Sequence, residues 1–465
     1  MCYGLGTVAG SSRNSRTLLK WVVAYIGVLH MLAFVFFGIG YTSDARGYID
    51  GIGRFAAGQV SYFPPGYSLF LAPWWLITSS YPGALAVFVQ HVCMVLTLVG
   101  LRDIVRRVVG EDLATLALFI TGSVAPTLFL PQMVLSENVA LFGMAGAMWL
   151  ASRAGANGAL RRDVAAGMLA GLAGLARVVP LVAIVVPMFL LYRSMTGTRD
   201  AAIRTARMMG AGLGLMALCA SWHYANGGGF VIAGGAGLHL YNRVVTEQGL
   251  LNAREPATAV FLTRMGNRPL QDVAHWDVLP VLERQGMSYA DARSLMGAVA
   301  MEGLRSDPTG FLRHSTIQSW KEYAAAPTLE PWPSGTEPIA ALESPVPPGV
   351  RGGSNAWWSR SESVFRQLWR VLMWLPVLGL LLLPSMRERL VFLALLAVPA
   401  GYLFVTAQVE FFLDRYVAAV LPFALMLSTT PLSVLKGLSD RRYRDSRAWS
   451  GPGTGRRNTL MSSGT

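Results

Sequence analysis

The chain has 465 residues, of which 53% are apolar and only 14% charged, against the ~25% charged residues of an ordinary soluble domain. So little polar surface excludes a cytosolic enzyme, a coiled coil and a disordered protein, and leaves a polytopic membrane protein. The net charge is +13, and the three cysteines, Cys2, Cys93 and Cys219, have no metal-ligand spacing, so neither a disulfide framework nor a zinc site is implied.

A helix that crosses the hydrocarbon needs about 20 apolar residues, somewhat fewer where neighbouring helices shield it. Ten segments meet or approach that length: 18–40, 84–101, 113–130, 133–151, 164–176, 178–192, 208–222, 367–383, 390–408 and 413–435. The first is expected to remain as a span, because its apolar stretch is long and no small-residue cleavage pattern follows it. Arg177 and Pro180 place a break between the fifth and sixth. Positive charge is retained on the cytoplasmic side of short loops. Under a ten-span count, Arg13 and Arg16, Arg102 to Arg107, Arg153 to Arg162, Arg193 to Arg207, Arg387 and Arg389, and the basic tail from Lys436 all fall inside, with both termini. The net charge thus reports orientation and gives no reason to expect nucleic acid as a partner.

The fold class read from this pattern is an all-α polytopic membrane protein with outer-face amphipathic helices and a small α-rich extracytoplasmic domain. Residues 1–222 form an N-terminal transmembrane module that includes the outer loop 41–83. Residues 223–365 form the extracytoplasmic domain, 366–435 the C-terminal transmembrane helices, and 436–465 a basic cytoplasmic tail. Within the outer loop, residues 66–79 are apolar but too short to span, and Trp74 and Trp75 suit a helix lying at headgroup level. In the outer domain Ser288 and Asp291 form a capping box ahead of Leu295, Met296, Val299 and Leu304 at helical spacing. Asp307-Pro308 opens a second helix carrying Leu312, Trp320 and Tyr323. Residues 327–363 are rich in Pro, Gly and Ser and read as a flexible segment. No internal repeat is visible.

Few ionisable residues lie at the outer face. They are Asp44, Arg46 and Asp50 after span one, Glu137 near the outer end of span four, Arg177 between spans five and six, His223 at the end of span seven, and Glu410, Asp414 and Arg415 at the start of span ten. Charges at membrane depth are costly, so their convergence on one face points to a site. Asp44 sits at a helix N-terminus, where it serves either as a simple cap or as an ionised base that accepts a proton from a hydroxyl nucleophile. Arg177 and Arg415 suit bidentate binding of phosphate oxygens, or else snorkel to headgroups. Glu137 is a candidate structural partner for one of these cations. His223, between Trp222 and Tyr224, is either a phosphate ligand or an interfacial residue.

The run SDARGYIDGIGRFAAGQVSYFPPGYSLFLAPWW at 43–75 resembles the first outer loop of the GT-C superfamily of membrane glycosyltransferases. LSENVALF at 135–142, GLAGLARVVP at 171–180, SWHYANGGGF at 221–230, DPTGFL at 307–312 and LDRYVAAVLPF at 413–423 extend the resemblance over most of the chain in the family's order. It implies inverting transfer of a sugar from a polyprenyl-phosphate donor to a hydroxyl of a cell-envelope glycan, lipid or protein, at the outer face of a bacterial plasma membrane. Asp44 would be the general base. Arg177 and Arg415 would hold the donor phosphate, with Glu137, His223 and Asp50 as sugar contacts or structural partners. The leaving group is already a phosphate, so no cofactor is implied and a divalent metal is not required. Protein mannosyltransferases and aminoarabinose transferases carry Asp-Glu in this loop. Here Ala45 follows Asp44, and the chain more resembles the bacterial branch that decorates polysaccharides or lipids. Trp332, Trp357 and Trp358 are placed either to stack on acceptor sugars or to anchor in the membrane. Two other classes stay open at this point: a lipid-linked sugar flippase or transporter without chemistry, and a polymerase or ligase with a diphosphate-linked donor. Transporters usually show repeated halves and charges near mid-membrane, neither of which is seen here.

Overall fold

The computed structural model describes residues 13–37, 39–40, 43–77, 82–153, 159–227, 229–266, 275–325, 355–409 and 414–436. Among them every regular element is a helix, and the sole β pairing is an isolated parallel bridge between Gly40 and Met133. The N-terminal half runs α1 (Arg13–Phe37), α2 (Ser43–Ala56), α3 (Pro65–Ile77), α4 (Pro82–Val109), α5 (Glu111–Ser123), α6 (Ala125–Phe129), α7 (Ser136–Ser152), α8 (Ala159–Ala176), α9 (Val178–Ala183), α10 (Val185–Arg193) and α11 (Thr198–Ala225). Next come α12 (Ala236–Tyr241), α13 (Pro256–Met265), α14 (His275–Arg284), α15 (Tyr289–Ser306) and α16 (Pro308–Ala325). The chain then continues with α17 (Asn355–Leu372), α18 (Leu375–Leu382), α19 (Met386–Val409) and α20 (Asp414–Met426).

The ten apolar segments read from the sequence fall largely on helix, and among the described residues four stretches are by themselves long and apolar enough to cross a membrane: Asn14–Phe36, Gly83–Val109, Ser363–Leu382 and Met386–Thr406. A fifth is added if Glu111–Ser123 and Ala125–Gln132, which meet at 65°, form one broken span. The break follows from Pro126, which stands at the start of α6 and supplies no N–H to the preceding turn. Pro376 likewise opens α18 after a short turn from α17, within the single stretch Ser363–Leu382. Residues 355–363, expected at the end of a flexible segment, instead form the first turns of α17. Trp332 and the rest of 326–354 lie outside the described residues, as do the side chains of Trp357 and Trp358.

Small residues set the bundle's closest approach. A Cβ at Gly171 on α8 would come within 2.9 Å of the carbonyl oxygen of Gly212 on α11, and one at Gly167 would meet the backbone of Met208. Glycines one turn apart on α8 therefore let two helix backbones touch, which is how helices associate in lipid where apolar side chains gain nothing over acyl tails. Helices α12 to α15 have a core of their own, built from Leu238, Tyr241, Val244, Phe261, Leu282, Met296 and Val299. The Ser288 side chain caps α15 by accepting from the Asp291 N–H, and the Asp307 carboxylate accepts from the Gly310 N–H at the start of α16.

Candidate functional site

Three chain breaks meet at one end of the bundle. The first is the turn between α1 and α2, the second the turn ahead of α7, and the third the single extended residue between α8 and α9. The first two are tied by backbone: the Gly40 N–H donates to the Gln132 carbonyl at 2.9 Å and the Val134 N–H to the Gly40 carbonyl at 2.8 Å. Asp44 lies half-buried in the first turn of α2, and Ser136 and Glu137 open α7. The third break is Arg177, whose φ of −152° and ψ of 134° stop α8 and whose next residue starts α9.

Arg177 and Glu137 form an ion pair, Nη1 to Oε1 at 2.8 Å, with side chains 8% and 0% exposed. The Ser136 hydroxyl stands 3.3 Å from Glu137 Oε2, and the Tyr48 hydroxyl 2.9 Å from Ser136 Oγ. A continuous polar chain thus runs from α2 through α7 to the α8–α9 break, with Asp44 one helical turn before Tyr48 on the same face of α2. Burial pushes the Tyr48 phenol well above its ordinary range, and the negative charges of Glu137 and Asp44 push it further. Arg177 and the Ser136 hydrogen bond oppose this. Tyr48 therefore stays a neutral hydroxyl at any physiological pH.

The shell around Tyr48 comes from the motifs of the first outer loop. Its ring packs on Phe63 and Tyr67, with centroids at 4.5 and 4.8 Å, and its carbonyl accepts from Ser68 Oγ at 2.7 Å. Tyr67 donates to Gln90 Oε1 at 2.6 Å, and the Gln90 amide donates to the carbonyls of Pro131 and Met133, both at 2.8 Å. Gly66 explains why the Pro-Gly-Tyr element is needed here. A side chain on it would strike the backbone of Leu175 and Ala176, the latter's nitrogen at 2.5 Å, so α3 seats directly on the last turn before Arg177. The α3 helix is consequently more than a surface helix: Pro65, Tyr67, Ser68 and Leu71 are buried, while Leu69, Leu76 and Ile77 face outward.

The remaining candidates do not join this cluster. Asp50 pairs with Arg46 at 3.8 Å, and both side chains are more than half exposed. Six residues from Asp44, Asp50 points to another side of α2, since each helical residue turns by about 100°. His223 is buried but lies edge-on to Phe55, ring centroids 5.8 Å apart, and its Nδ1 bonds the Val231 carbonyl at 2.7 Å. Phe55 is eleven residues beyond Asp44, about 16 Å along the helix axis. Together with Trp222, which donates to the Phe55 carbonyl at 3.0 Å, His223 anchors the far end of α2 to α11. Arg415 lies in the first turn of α20, and its side chain, like Glu410, lies outside the described residues.

Tyr48, Ser136, Tyr67 and Gln90 were not singled out as site residues from the sequence. The signal for Tyr48 was its position four residues after Asp44, one helical turn further along the same face. Asn138 is a further addition: it is 1% exposed, next to Glu137, and neither atom of its amide has a partner among the described residues, so a bound polar group or water is needed to satisfy it. Among the described residues no three His, Cys, Asp or Glu side chains gather as a metal site.

No protein-family model matches the chain, and no curated protein matches it by sequence. Seven chains of solved structures do. The archaeal oligosaccharyltransferase AglB from Archaeoglobus fulgidus, in complex with an inhibitory peptide and a dolichol-phosphate, aligns at 13% identity and a TM-score of 0.49. That alignment takes in 97% of this chain and 53% of that one. ArnT from Cupriavidus metallidurans, bound to undecaprenyl phosphate, aligns at 14% identity and a TM-score of 0.35 over 84% of this chain and 77% of that one. The chain spans about half the length of the archaeal enzyme it matches.

Proposed function

We propose that this chain is an inverting glycosyltransferase that moves a sugar from a polyprenyl-phosphate donor to a hydroxyl of a cell-envelope glycan, lipid or protein at the outer face of a bacterial plasma membrane. The bundle is read as ten spans with both termini cytoplasmic. The observation that carries the reading is the buried chain Tyr48–Ser136–Glu137–Arg177, which couples the start of α2, and hence Asp44, to a permanent cation at a helix break.

In this mechanism the acceptor oxygen attacks the anomeric carbon while the bond from that carbon to the donor phosphate breaks, and the phosphate leaves with the bonding pair. The hydroxyl proton passes to Asp44 in the first turn of α2. Arg177 stabilises the charge that develops on the departing phosphate, with Arg415 as a second cation, and Glu137 holds the Arg177 guanidinium in position. No metal is required, because guanidinium charge already opposes the leaving group. Asn138 meets the sugar.

The test uses purified full-length protein in detergent with a polyprenyl-phosphate sugar, reading release of polyprenyl phosphate and glycosylated acceptor. Asp44→Asn is expected to stay folded and lose at least about a hundredfold in turnover, the scale of a positioned base. Full turnover by that variant would overturn the assignment of the base. Movement of intact lipid-linked sugar across liposomes with no polyprenyl phosphate released would instead support the flippase, and turnover with a diphosphate donor alone the polymerase or ligase. Turnover unchanged by a chelator is expected.

A further inference from the structure

The opposite end of the bundle holds a second feature that the proposed chemistry does not use. Helix α7 starts at the site and ends at Ser152, about 22 Å further along its axis, and α8 returns from there. At that end lies a cavity of about 930 Å³ whose lining includes seven arginines drawn from four separate connections, and a single carboxylate, Asp200.

Three of the seven are matched by acids outside the cavity. Arg106 pairs with Asp103 and Glu111, both at 2.6 Å, Arg153 with Asp103 at 2.7 Å, and Arg204 with Asp163 at 2.8 Å. The other four have no carboxylate partner among the described residues. Arg107 and Arg162 donate to the backbone carbonyls of Ser152 and Arg153, while Arg207 and Arg387 stand exposed at the rim. Arg107 lies within electrostatic range of Asp103 as well as of the cations Arg106, Arg153 and Arg387.

Retention of positive charge on one side of the membrane accounts for how many arginines these loops carry, since that rule counts residues in loops. It does not account for their gathering around one hollow, where like charges repel unless an anion lies between them. Arg193 and Arg199, on the same connection as Arg204 and Arg207, satisfy the orientation rule from outside the cavity. The planar forks of several guanidiniums suit phosphate oxygens, and Met195 with the exposed Ile203 supply an apolar edge. Basic hollows between transmembrane helices at a membrane face suit anionic lipid headgroups.

We propose that this cavity is a phosphate-binding site occupied by the headgroup of an anionic phospholipid from the leaflet at that end of the bundle, independent of the Asp44–Arg177 site. The experiment titrates purified full-length protein with phosphatidylglycerol, phosphatidylcholine and inorganic diphosphate, counting bound molecules by native mass spectrometry. Phosphatidylglycerol is expected to bind with one tight site. Each guanidinium near an anionic surface is worth about fivefold, so Arg207→Gln/Arg387→Gln is expected to weaken that site roughly 30-fold by the same rule. Arg193→Gln/Arg199→Gln, which removes the same charge outside the cavity, should leave it unchanged. Arg162→Gln, expected to cost about fivefold, keeps the test open should the double variant not fold. Equal binding of phosphatidylcholine, equal weakening by the two double variants, or tight diphosphate binding that displaces no lipid would each overturn the assignment to a lipid headgroup.

Discussion

Removing the Glu137 charge tests whether the buried pair organises the site. At 2.8 Å and an effective dielectric constant of about 20, the attraction between the two charges is about 6 kcal/mol. Desolvation of both groups returns part of that, and breaking a buried pair from one side costs about 3–5 kcal/mol. Glu137→Gln is therefore expected to destabilise the protein by about 4 kcal/mol. For 465 residues an unfolding entropy of roughly 1 kcal/mol/K converts this into a Tm lowered by about 4 °C. An apolar replacement of both partners, Glu137→Leu/Arg177→Met, should recover most of the lost stability, because no uncompensated charge stays buried. Sugar transfer should nevertheless be lost in the single and the double variants alike. Thermal unfolding in detergent followed by intrinsic fluorescence, beside the transfer assay, separates the two effects. A Glu137→Gln protein that melts within a degree of the parent, or a double variant as unstable as the sum of its singles, would refute the coupling.

Three further outcomes follow from the same geometry. Gly66→Ala should destabilise by about 1–3 kcal/mol by pushing α3 off the backbone of Leu175 and Ala176, and should lower transfer by displacing Arg177; unchanged turnover and Tm would show that the contact is slack. Asp50→Asn, which loses an exposed pair with Arg46, should change stability by less than about 0.5 kcal/mol and leave transfer intact; a tenfold loss would return Asp50 to the site. The core of α12 to α15 should lose stability on acidification through His275, which is held by Tyr62 at 3.1 Å and Asn242 at 2.7 Å and is pushed down to about 4 by burial and by nearby His239. Its folded pKa lies below the unfolded value of about 6.5, so the unfolded chain binds more protons between the two; stability is full above pH ~6.5, falls as pH drops toward 4 and levels below it. The loss is about 3 kcal/mol, and melting curves of the parent and of His275→Asn across that range check it.

What the sequence determined by itself was everything carried by local pattern. Apolar runs located the helices, Arg177 and Pro180 marked the α8–α9 break, Ser288 and Asp307 marked two helix starts, and Asp44 stood at the head of an amphipathic helix. These depend on contacts within one or two turns, which composition and spacing express directly. What only the tertiary structure decided was which polar groups share a place. Glu137 and Arg177 are forty residues apart and become one ion pair, and Tyr48 becomes a link between α2 and α7. Asp50, equally plausible by depth, ends on another side of α2, because depth says nothing about rotation around a helix axis, and His223 packs on Phe55 at the far end of that helix. Gly66 shows the physical reason most clearly. Its function is the absence of a side chain against a backbone more than a hundred residues away, and only the packed fold shows what that absence admits.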